Sequence, residues 1–527
     1  MIKEENEIPY YDIERMSDNK SKDIWDRIKE KGWNYNTTSA ITTQELALIT
    51  SDEFNSLNEV EPVNMPGKTW KGLKTFDEFK YFTGVENINA AKKSSSGNRI
   101  GGFNAAKELE SITLPSSLKE IGDFAFNMVG HIGSTYYQDT KLKYIYGGEN
   151  VEKIGYSAFQ CCSALTEFNL SDKLTDIGSQ AFFGCYGLQK AILPETIEVI
   201  HKGVFGDDSN LTNIGNMHNV KYIGDNAFDG YSKGSPVNRL GAGNGMLNYD
   251  GSFDCQMPNL EEIGIFSFQS QIYLKELNMP KLRTIGPDCF YDCSNLKKIT
   301  TSNCVRICDS FNSGSINVNG IEYDKAPNNC IIKDNVMTPV SSITEWIFND
   351  NETKIPSFFF YEAKSLSSVT IPNSVTSCGR EAFYNCSNLE TINGSNSFIG
   401  SDTTDIAFLF YGCKQLKELD LSNCDFSGIV NYQETNGAKS GLDNFASNCS
   451  SLTTLKLGKF AVSVFTNTTN YNLFTNDISL KDIYITSDSP SLSFLESQCV
   501  FSKIASNVTI HFGDELYTYN GSSWVKK

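Results

Sequence analysis

The sequence predicts a repeat solenoid: a β-rich superhelix with strands stacked in parallel and short turns or helices between them. Three observations carry this: a returning phrase, its fixed spacing, and the strand pattern that follows it. The phrase is an I-G-x-x-A-F step, a cysteine three residues later and a leucine three after that. It reads IGYSAFQCCSAL at 154–165, IGSQAFFGCYGL at 177–188 and IGPDCFYDCSNL at 285–296. Degenerate copies are IGDFAF (121–126), IHKGVFGDDSNL (200–211), IGDNAF (223–228), IGIFSF (263–268) and CGREAFYNCSNL (378–389). Ile154, Ile177, Ile200 and Ile223 lie 23 residues apart each time. A period in the twenties means units too small to bury their own apolar face, which they bury instead against their neighbours.

The second half of each unit is L-x-x-Φ-x-Φ, with Φ apolar and often a closing proline. Examples are LESITLP (109–115), LTEFNL (165–170), LQKAILP (188–194), LKELNMP (274–280), LSSVTIP (366–372), LKELDL (416–421), LTTLKL (452–457) and LKDIYI (480–485). The alternation of apolar and polar residues is the period of a strand with one buried face. A proline cannot donate to a ladder, so the strand stops there. Strands one repeat apart are therefore expected to stack in parallel, with the I-G-x-x-A-F stretch returning along the opposite wall.

These motifs resemble the BspA-like leucine-rich repeats, a family typified by IPxSVTxIGxxAFxxCxxL units in surface proteins of gut and oral bacteria. The best match is SVTIPNSVTSCGREAFYNCSNLETI (368–392), with Cys378 where isoleucine is usual. LKTFDEFKYFTGVENI (73–88) resembles the lead-in of such arrays, and LYTYNGSSWVKK (516–527) their closing segment. LKELDLSNCDFSG and SNCSSLTTLKLGKF are more similar to a related repeat with an LDLS(N)F core. The resemblance spans roughly 73–527 and implies a leucine-rich-repeat fold, display on a bacterial surface and binding of other molecules.

Three stretches interrupt the order. Residues 1–66 carry no repeat: SDNKSKDIWDRIKEKGWNYN reads as a short amphipathic helix with Ile24, Trp25 and Ile28 on one face and Gly32 as its stop. TTQELALITSDEFNSL reads as a second, capped by Thr42 or Thr43. Together they form a cap over the first repeat or an attachment segment. YSKGSPVNRLGAGNGMLNYDGSF (231–253) reads as a surface loop. Its GAGNG is no dinucleotide fingerprint, since no helix pattern follows. Residues 301–350 read as atypical repeats or a joint. The expected division is 1–66, a first array over 67–300, the joint, a second array over 351–512 and a closing segment over 513–527.

Composition bounds the function. Hydrophobic residues make up 39% and aromatics 12%, enough for a packed interior. The net charge of −18 argues against a nucleic-acid partner, which needs cations to replace phosphate counterions. No apolar run reaches membrane-span length. Of the fifteen cysteines, Cys162, Cys185, Cys293, Cys386, Cys413 and Cys449 fill one slot of successive repeats. They are expected as a buried column of reduced thiols, with Cys424 in a similar context, rather than a disulfide framework. No C-x-x-C pair exists to hold zinc, and no metal or cofactor is expected.

A search for catalytic motifs finds no H-E-x-x-H, G-x-S-x-G or P-loop. The four histidines, His131, His201, His218 and His511, are scattered. Asp207-Asp208 and Asn349-Asp350-Asn351 lack the alternating oxygen spacing of a calcium loop and read as solvated turns. The chain is read as no enzyme. What a solenoid offers is surface. Outward strand positions form columns, and the candidate binding residues are Glu167, Asn169, Lys190, Glu276, Asn278, Ser368, Thr370, Glu418 and Asp420. The expected partner is a protein or glycan on a host or bacterial surface. The alternative is a structural spacer, or a virion component that uses its repeats for assembly or receptor binding. The first residues, MIKEEN, show no apolar signal segment. The resemblance nonetheless implies placement outside the cell, on a bacterial surface with a signal segment removed, or alternatively on a phage particle released by lysis.

Overall fold

The computed structural model describes residues 7–9, 40–42, 47–56, 74–89, 92–93, 99–100, 102–103, 106, 108–127, 141–207, 211, 213–229, 257–271, 274, 276–302, 304–309, 315–323, 328–434, 437–460, 473–486, 491, 508–519 and 524–527. The helix expected near 17–36, the loop at 231–253, His131 and Asp208 lie outside them. The chain divides into two compact units. The first comprises 1–282, 287–301 and 310–326; the second comprises 283–286, 302–309 and 327–527.

In the first unit the L-x-x-Φ-x-Φ segments form the expected parallel strands. Thr75–Phe76, Ser111–Thr113 and Tyr144–Tyr146 pair in turn, and isolated bridges carry the order from Tyr144 to Glu167 and from Glu167 to Lys190. Lys190–Ile192 then pairs with Asn213–Gly215, and Glu276–Asn278 with Lys298–Thr300. Register puts Ile112 beside Ile145 and Leu277 beside Ile299, each buried, while flanking residues face out. A one-residue slip would reverse both faces, so burial fixes the register.

The isoleucine–glycine steps form a second parallel ladder. Asn87–Ile88, Glu120–Ile121, Lys153–Ile154 and Asp176–Ile177 align their isoleucines. The glycine has a steric cause: a Cβ on Gly178 would lie 2.6 Å from the backbone of Gly155, and one on Gly224 2.7 Å from the Lys202 nitrogen.

A third ladder, which the sequence pattern does not announce, runs along the A-F turn. Counting from the isoleucine, the N–H groups at positions four, six and eight donate forward to carbonyls at positions three, five and seven of the next coil. Ser157, Phe159 and Cys161 donate to Ser179, Ala181 and Phe183 at 3.0, 2.7 and 2.8 Å. The peptides between them close turns within the coil, as in Gln160 to Ser157 (3.1 Å) and Cys162 to Phe159 (3.0 Å). This alternation needs left-handed residues at positions four and eight, and these include Ser157 (φ 50°), Cys161 (φ 60°), Gln180 (φ 59°) and Glu381 (φ 55°). Each costs a non-glycine residue about 1–2 kcal/mol, offset by backbone bonds that would otherwise be buried unmade.

Inside the turns, phenylalanines stack into a column. Phe103, Phe126, Phe159, Phe182, Phe205, Phe228, Phe268 and Phe290 follow one another at centroid distances of 4.9–5.7 Å with nearly parallel rings. At its start Phe54, Phe76, Phe79 and Phe82 close over Phe103, all buried. Phe54 comes from the helix Ser51–Ser56. Thr50 and Glu53 cap that helix reciprocally: Thr50 Oγ1 accepts from the Glu53 N–H and the Glu53 carboxylate from the Thr50 N–H. Of the two residues expected to cap this helix, Thr42 instead ends the strand Ala40–Thr42, which pairs with Glu7–Pro9, and Thr43 lies outside the described residues.

The second unit repeats the plan. Glu345–Ile347, Ser368–Ile371 and Thr391–Gly394 pair in parallel, as do Glu418–Asp425, Thr454–Lys459, Asp482–Ile485 and Thr509–Phe512. An antiparallel hairpin of Glu515–Tyr519 and Trp524–Lys526 covers the last strand. Phe360, Phe383 and Phe410 stack at 5.4 and 5.2 Å, and then Phe445 meets Phe410 edge-on. Near its start Cys304–Ile307 and Val336–Pro339 flank Cys330–Lys333 antiparallel, with Asp334 and Asn335 both left-handed in a tight turn.

Candidate binding surface

The outward strand positions are the exposed face that each unit presents. In the first unit one column aligns Ser111, Tyr144, Glu167, Lys190 and Asn213, while Thr113 and Tyr146 start a second. Further along, Glu276 and Lys298 face each other across adjacent strands at 3.1 Å. In the second unit Asp420, Lys456, Tyr484 and His511 lie side by side, next to Glu418, Thr454, Asp482 and Thr509. Here the charges satisfy one another. Lys456 bonds Glu418 (2.8 Å) and Asp420 (2.9 Å), and these bonds push its ammonium pKa up. Burial opposes ionisation of Asp420, but hydrogen bonds from Ser422 and Lys456 outweigh it and hold the carboxyl low. His511 bonds Asp482 at 3.0 Å and stacks on Tyr484 at 4.1 Å.

The turn wall carries the cysteine slot. Cys162, Cys185, Cys293, Cys386, Cys413 and Cys449 are buried and free, and each thiol donates to a phenylalanine carbonyl of the preceding coil. The acceptors are Phe126, Phe159, Phe268, Phe360, Phe383 and Phe410, at 3.0–3.2 Å. The slot is therefore a donor position as well as a small apolar one. Gln271 fills it in another coil and donates to the Phe228 carbonyl at 2.7 Å. Burial pushes the thiols of Cys386, Cys413 and Cys449 well above the ordinary range, so they are held as protonated donors. Cys424 donates to Asn396 and is raised to about 12 by burial.

Two of the histidines form inter-coil pairs. His201 Nε2 faces Asp176 (3.2 Å) and His218 Nε2 faces Glu195 (2.6 Å). Asn349, Asp350 and Asn351 are exposed. Among the described residues no group of three His, Cys, Asp or Glu is placed to hold a metal ion.

The family model described as "BspA type Leucine rich repeat region" matches in six copies over residues 28–130, 130–235, 252–330 and 330–433. The chain belongs to the BspA-type leucine-rich repeat family. Similar solved structures include a leucine-rich repeat protein from Bacteroides ovatus, at 18% identity and TM-score 0.30, covering 84% of this chain and 88% of that one. A leucine rich cell surface protein from Faecalibacterium prausnitzii is 21% identical with TM-score 0.24, covering 78% and 90%. The pneumococcal vaccine antigen PcpA is 16% identical with TM-score 0.26, covering 82% and 85%. No curated protein matches this chain.

Within this BspA-type array the residues singled out from the sequence fall into two groups. Glu276, Glu418 and Asp420 are tied into cross-strand ion pairs. Glu167 and Asn169 are exposed, and among the described residues their side chains have no hydrogen-bond or ionic partner. Lys190 is exposed beside Glu167, and Asn278, Ser368 and Thr370 are half-buried on their strands. The sequence reading missed Tyr144 and Tyr146, which are 37% and 52% exposed and stack on each other at 6.1 Å. The signal was present in LKYIYG (142–147), an L-x-x-Φ unit with tyrosines at its outward positions and Gly147 at the last apolar place.

Proposed function

We propose that this protein is a non-enzymatic binding protein of a bacterial surface, which captures a protein or glycan ligand through the outward strand face of its repeats. The observation that supports this best is the exposed tyrosine pair beside polar side chains with no structural task, since exposed aromatics on a regular face mark interaction sites. Family membership and the printed cell-surface description of the Faecalibacterium relative agree with this placement. No helix among the described residues is long and apolar enough to cross a membrane.

The test is a quadruple variant, Glu167→Lys, Asn169→Lys, Glu276→Lys and Asn278→Lys. These side chains leave the core untouched, so folding is expected to hold by circular dichroism. Capture of ligands from surface protein and glycan preparations is expected to fall roughly tenfold or more. A folded variant with undiminished capture removes this face from consideration.

A further inference from the structure

We infer that Tyr144 and Tyr146 form the centre of a subsite for an uncharged glycan, an inference that rests on the strand-face reading above and names its ligand class. The two rings lie on adjacent outward positions of one strand, nearly parallel at 18°. The strand between them is anchored by Ile145, which is buried against its neighbours. Phenol rings held this way cost little entropy to use, because their backbone is already fixed by pairing with Ser111–Thr113.

The surroundings choose the ligand. Glu167 lies beside Tyr144 in register, and Asn169 follows on the same exposed side. On the opposite flank Thr113 is in register with Tyr146 and donates to Asp77 at 3.1 Å, which fixes that carboxylate in place. The Lys143 ammonium stands over the Tyr144 ring at 5.1 Å, and Lys190 follows Glu167 in the column. Acidic and basic side chains thus lie on both flanks of the two phenols, with exposed Glu110 beside Lys143 on the adjacent strand, and neither sign gathers into a patch. A sulfated, phosphorylated or sialylated ligand would meet no excess of cations here, and a basic peptide no excess of anions.

What remains on offer is planar hydrogen-bonding groups and aromatic surface. Carboxylate and amide groups can each engage a pair of neighbouring hydroxyls, and the C–H faces of a pyranose ring pack against aromatic carbon. Adjacent strands lie about 4.8 Å apart, so Thr113, Tyr146 and the Glu167–Asn169 segment span about 10 Å, the reach of one to two sugar rings. A protein partner bound stably would need on the order of 800 Å² on this side, far more than two tyrosines and their neighbours supply. The other described tyrosine on a strand face with a comparable ring contact, Tyr484, is stacked on His511, which is itself bonded to Asp482.

The experiment uses the full chain on an immobilised panel of neutral, sialylated and sulfated oligosaccharides, with Tyr144→Ala/Tyr146→Ala, Tyr144→Phe/Tyr146→Phe and Tyr484→Ala as variants. The expected result is capture of at least one neutral oligosaccharide. The double alanine variant should weaken it roughly tenfold or more, the double phenylalanine variant much less, and Tyr484→Ala not at all. No neutral capture, or capture indifferent to the double alanine change, overturns the inference. A second arm measures capture of glycoproteins before and after periodate cleavage of their sugar diols. Capture that survives periodate but falls in the double alanine variant means a protein ligand: the glycan assignment fails while the strand-face reading stands. Capture that ignores both the tyrosines and the quadruple lysine variant removes both.

Discussion

The two units start in opposite ways. The first begins under an apolar lid, where Phe54, Phe76, Phe79 and Phe82 close the phenylalanine column. Its ladder ends are met by short side chains: Asn55 donates to the Asn87 carbonyl and accepts from the Asn89 N–H, and Ser51 accepts from the Glu86 N–H. The second begins on a guanidinium. Arg306 is fully buried, and its five N–H groups reach the carbonyls of Phe359, Tyr361, Ile307 and Cys330 and the side-chain oxygen of Asn329. Phe359 and Tyr361 hold turn positions five and seven, the carbonyls that accept from the coil before in described interior coils such as 177–185, 200–207 and 378–386. One arginine side chain thus gives these carbonyls the donors that turn N–H groups give their counterparts in interior coils. A stacked array has open hydrogen-bond ends as well as open apolar ends, and a carbonyl end demands a donor that phenylalanine cannot provide.

Replacing the two starts should separate these contributions. Arg306→Met keeps volume and removes every donor, leaving buried acceptors unmet at about 1–3 kcal/mol each. With incomplete additivity the second unit is expected to lose about 5 kcal/mol. Arg306→Lys, a point donor without the planar fork, should recover less than half. Phe79→Ala is the matched change in the first unit and is expected to cost about 3–5 kcal/mol through lost burial and a cavity. Hydrogen exchange followed by mass spectrometry locates each loss. Arg306→Met should deprotect peptides around 356–363, and Phe79→Ala those around 74–126. Equal deprotection of both regions by either variant would contradict the separate-cap account.

How much of this was legible follows from what each feature asks of the chain. The strand and isoleucine–glycine ladders were readable because alternation, period and a sterically required glycine leave marks at fixed positions. The cysteine slot was readable as a position but not as a donor, since thiol and alanine look alike to an apolar pattern. Only Gln271 in the same place hints at hydrogen bonding. The turn ladder left almost no mark. Its left-handed positions hold Gly184, Gly203 and Asn385 in some coils but Ser157, Gln180, Phe266 and Glu381 in others, so no single residue type recurs there. Arg306, in CVRIC, reads as one more solvated charge. The strand face was readable in outline, yet its candidate residues were chosen for polarity, and cross-strand ion pairs occupy several of them. Tyr144 and Tyr146 are hidden in the sequence because Gly147 takes the last apolar place of their unit, so LKYIYG does not match the strand pattern.

The far end of the second unit differs again, and its stability is expected to depend on pH. Asp477 takes the slot after Cys449 and is 1% exposed; its Oδ1 accepts from the Cys449 N–H, and its Oδ2 has no hydrogen-bond partner. Burial pushes its carboxyl up to about 8, with the Cys449 N–H opposing. In the unfolded chain the value is about 3.9. Folding therefore favours the protonated form, so this stabilisation is complete below about pH 4 and is lost as pH rises toward 8. The slope is at most about 1.4 kcal/mol per pH unit, so about 2–3 kcal/mol should disappear from the last coils between pH 6 and 8. Asp477→Asn keeps the acceptor and cannot ionise, and should flatten that dependence. A wild-type chain whose exchange protection around 473–486, corrected for intrinsic rate, is constant over this range would show that the carboxyl is not protonated there.

The smallest expected effect concerns the slot itself. Cys386 donates to the Phe360 carbonyl at 3.1 Å, and that carbonyl already accepts from the Ala363 N–H at 2.9 Å. Removing the thiol therefore orphans nothing completely. Cys386→Ala should cost about 1–2 kcal/mol, the sum of one weak hydrogen bond and a small void. Cys386→Ser separates the two: it restores a stronger donor in less space and should fall between wild type and alanine. Cys386→Val fills the slot without a donor, so a valine variant as stable as wild type would mean that packing alone holds the position. Thiol counting supplies the companion measurement. The thirteen cysteines of the described residues are free, the slot thiols are buried, and burial raises the pKa values of Cys386, Cys413 and Cys449. They should resist a thiol reagent in the native protein and react on denaturation without reductant, and no gain in reactive thiols on unfolding would break the column.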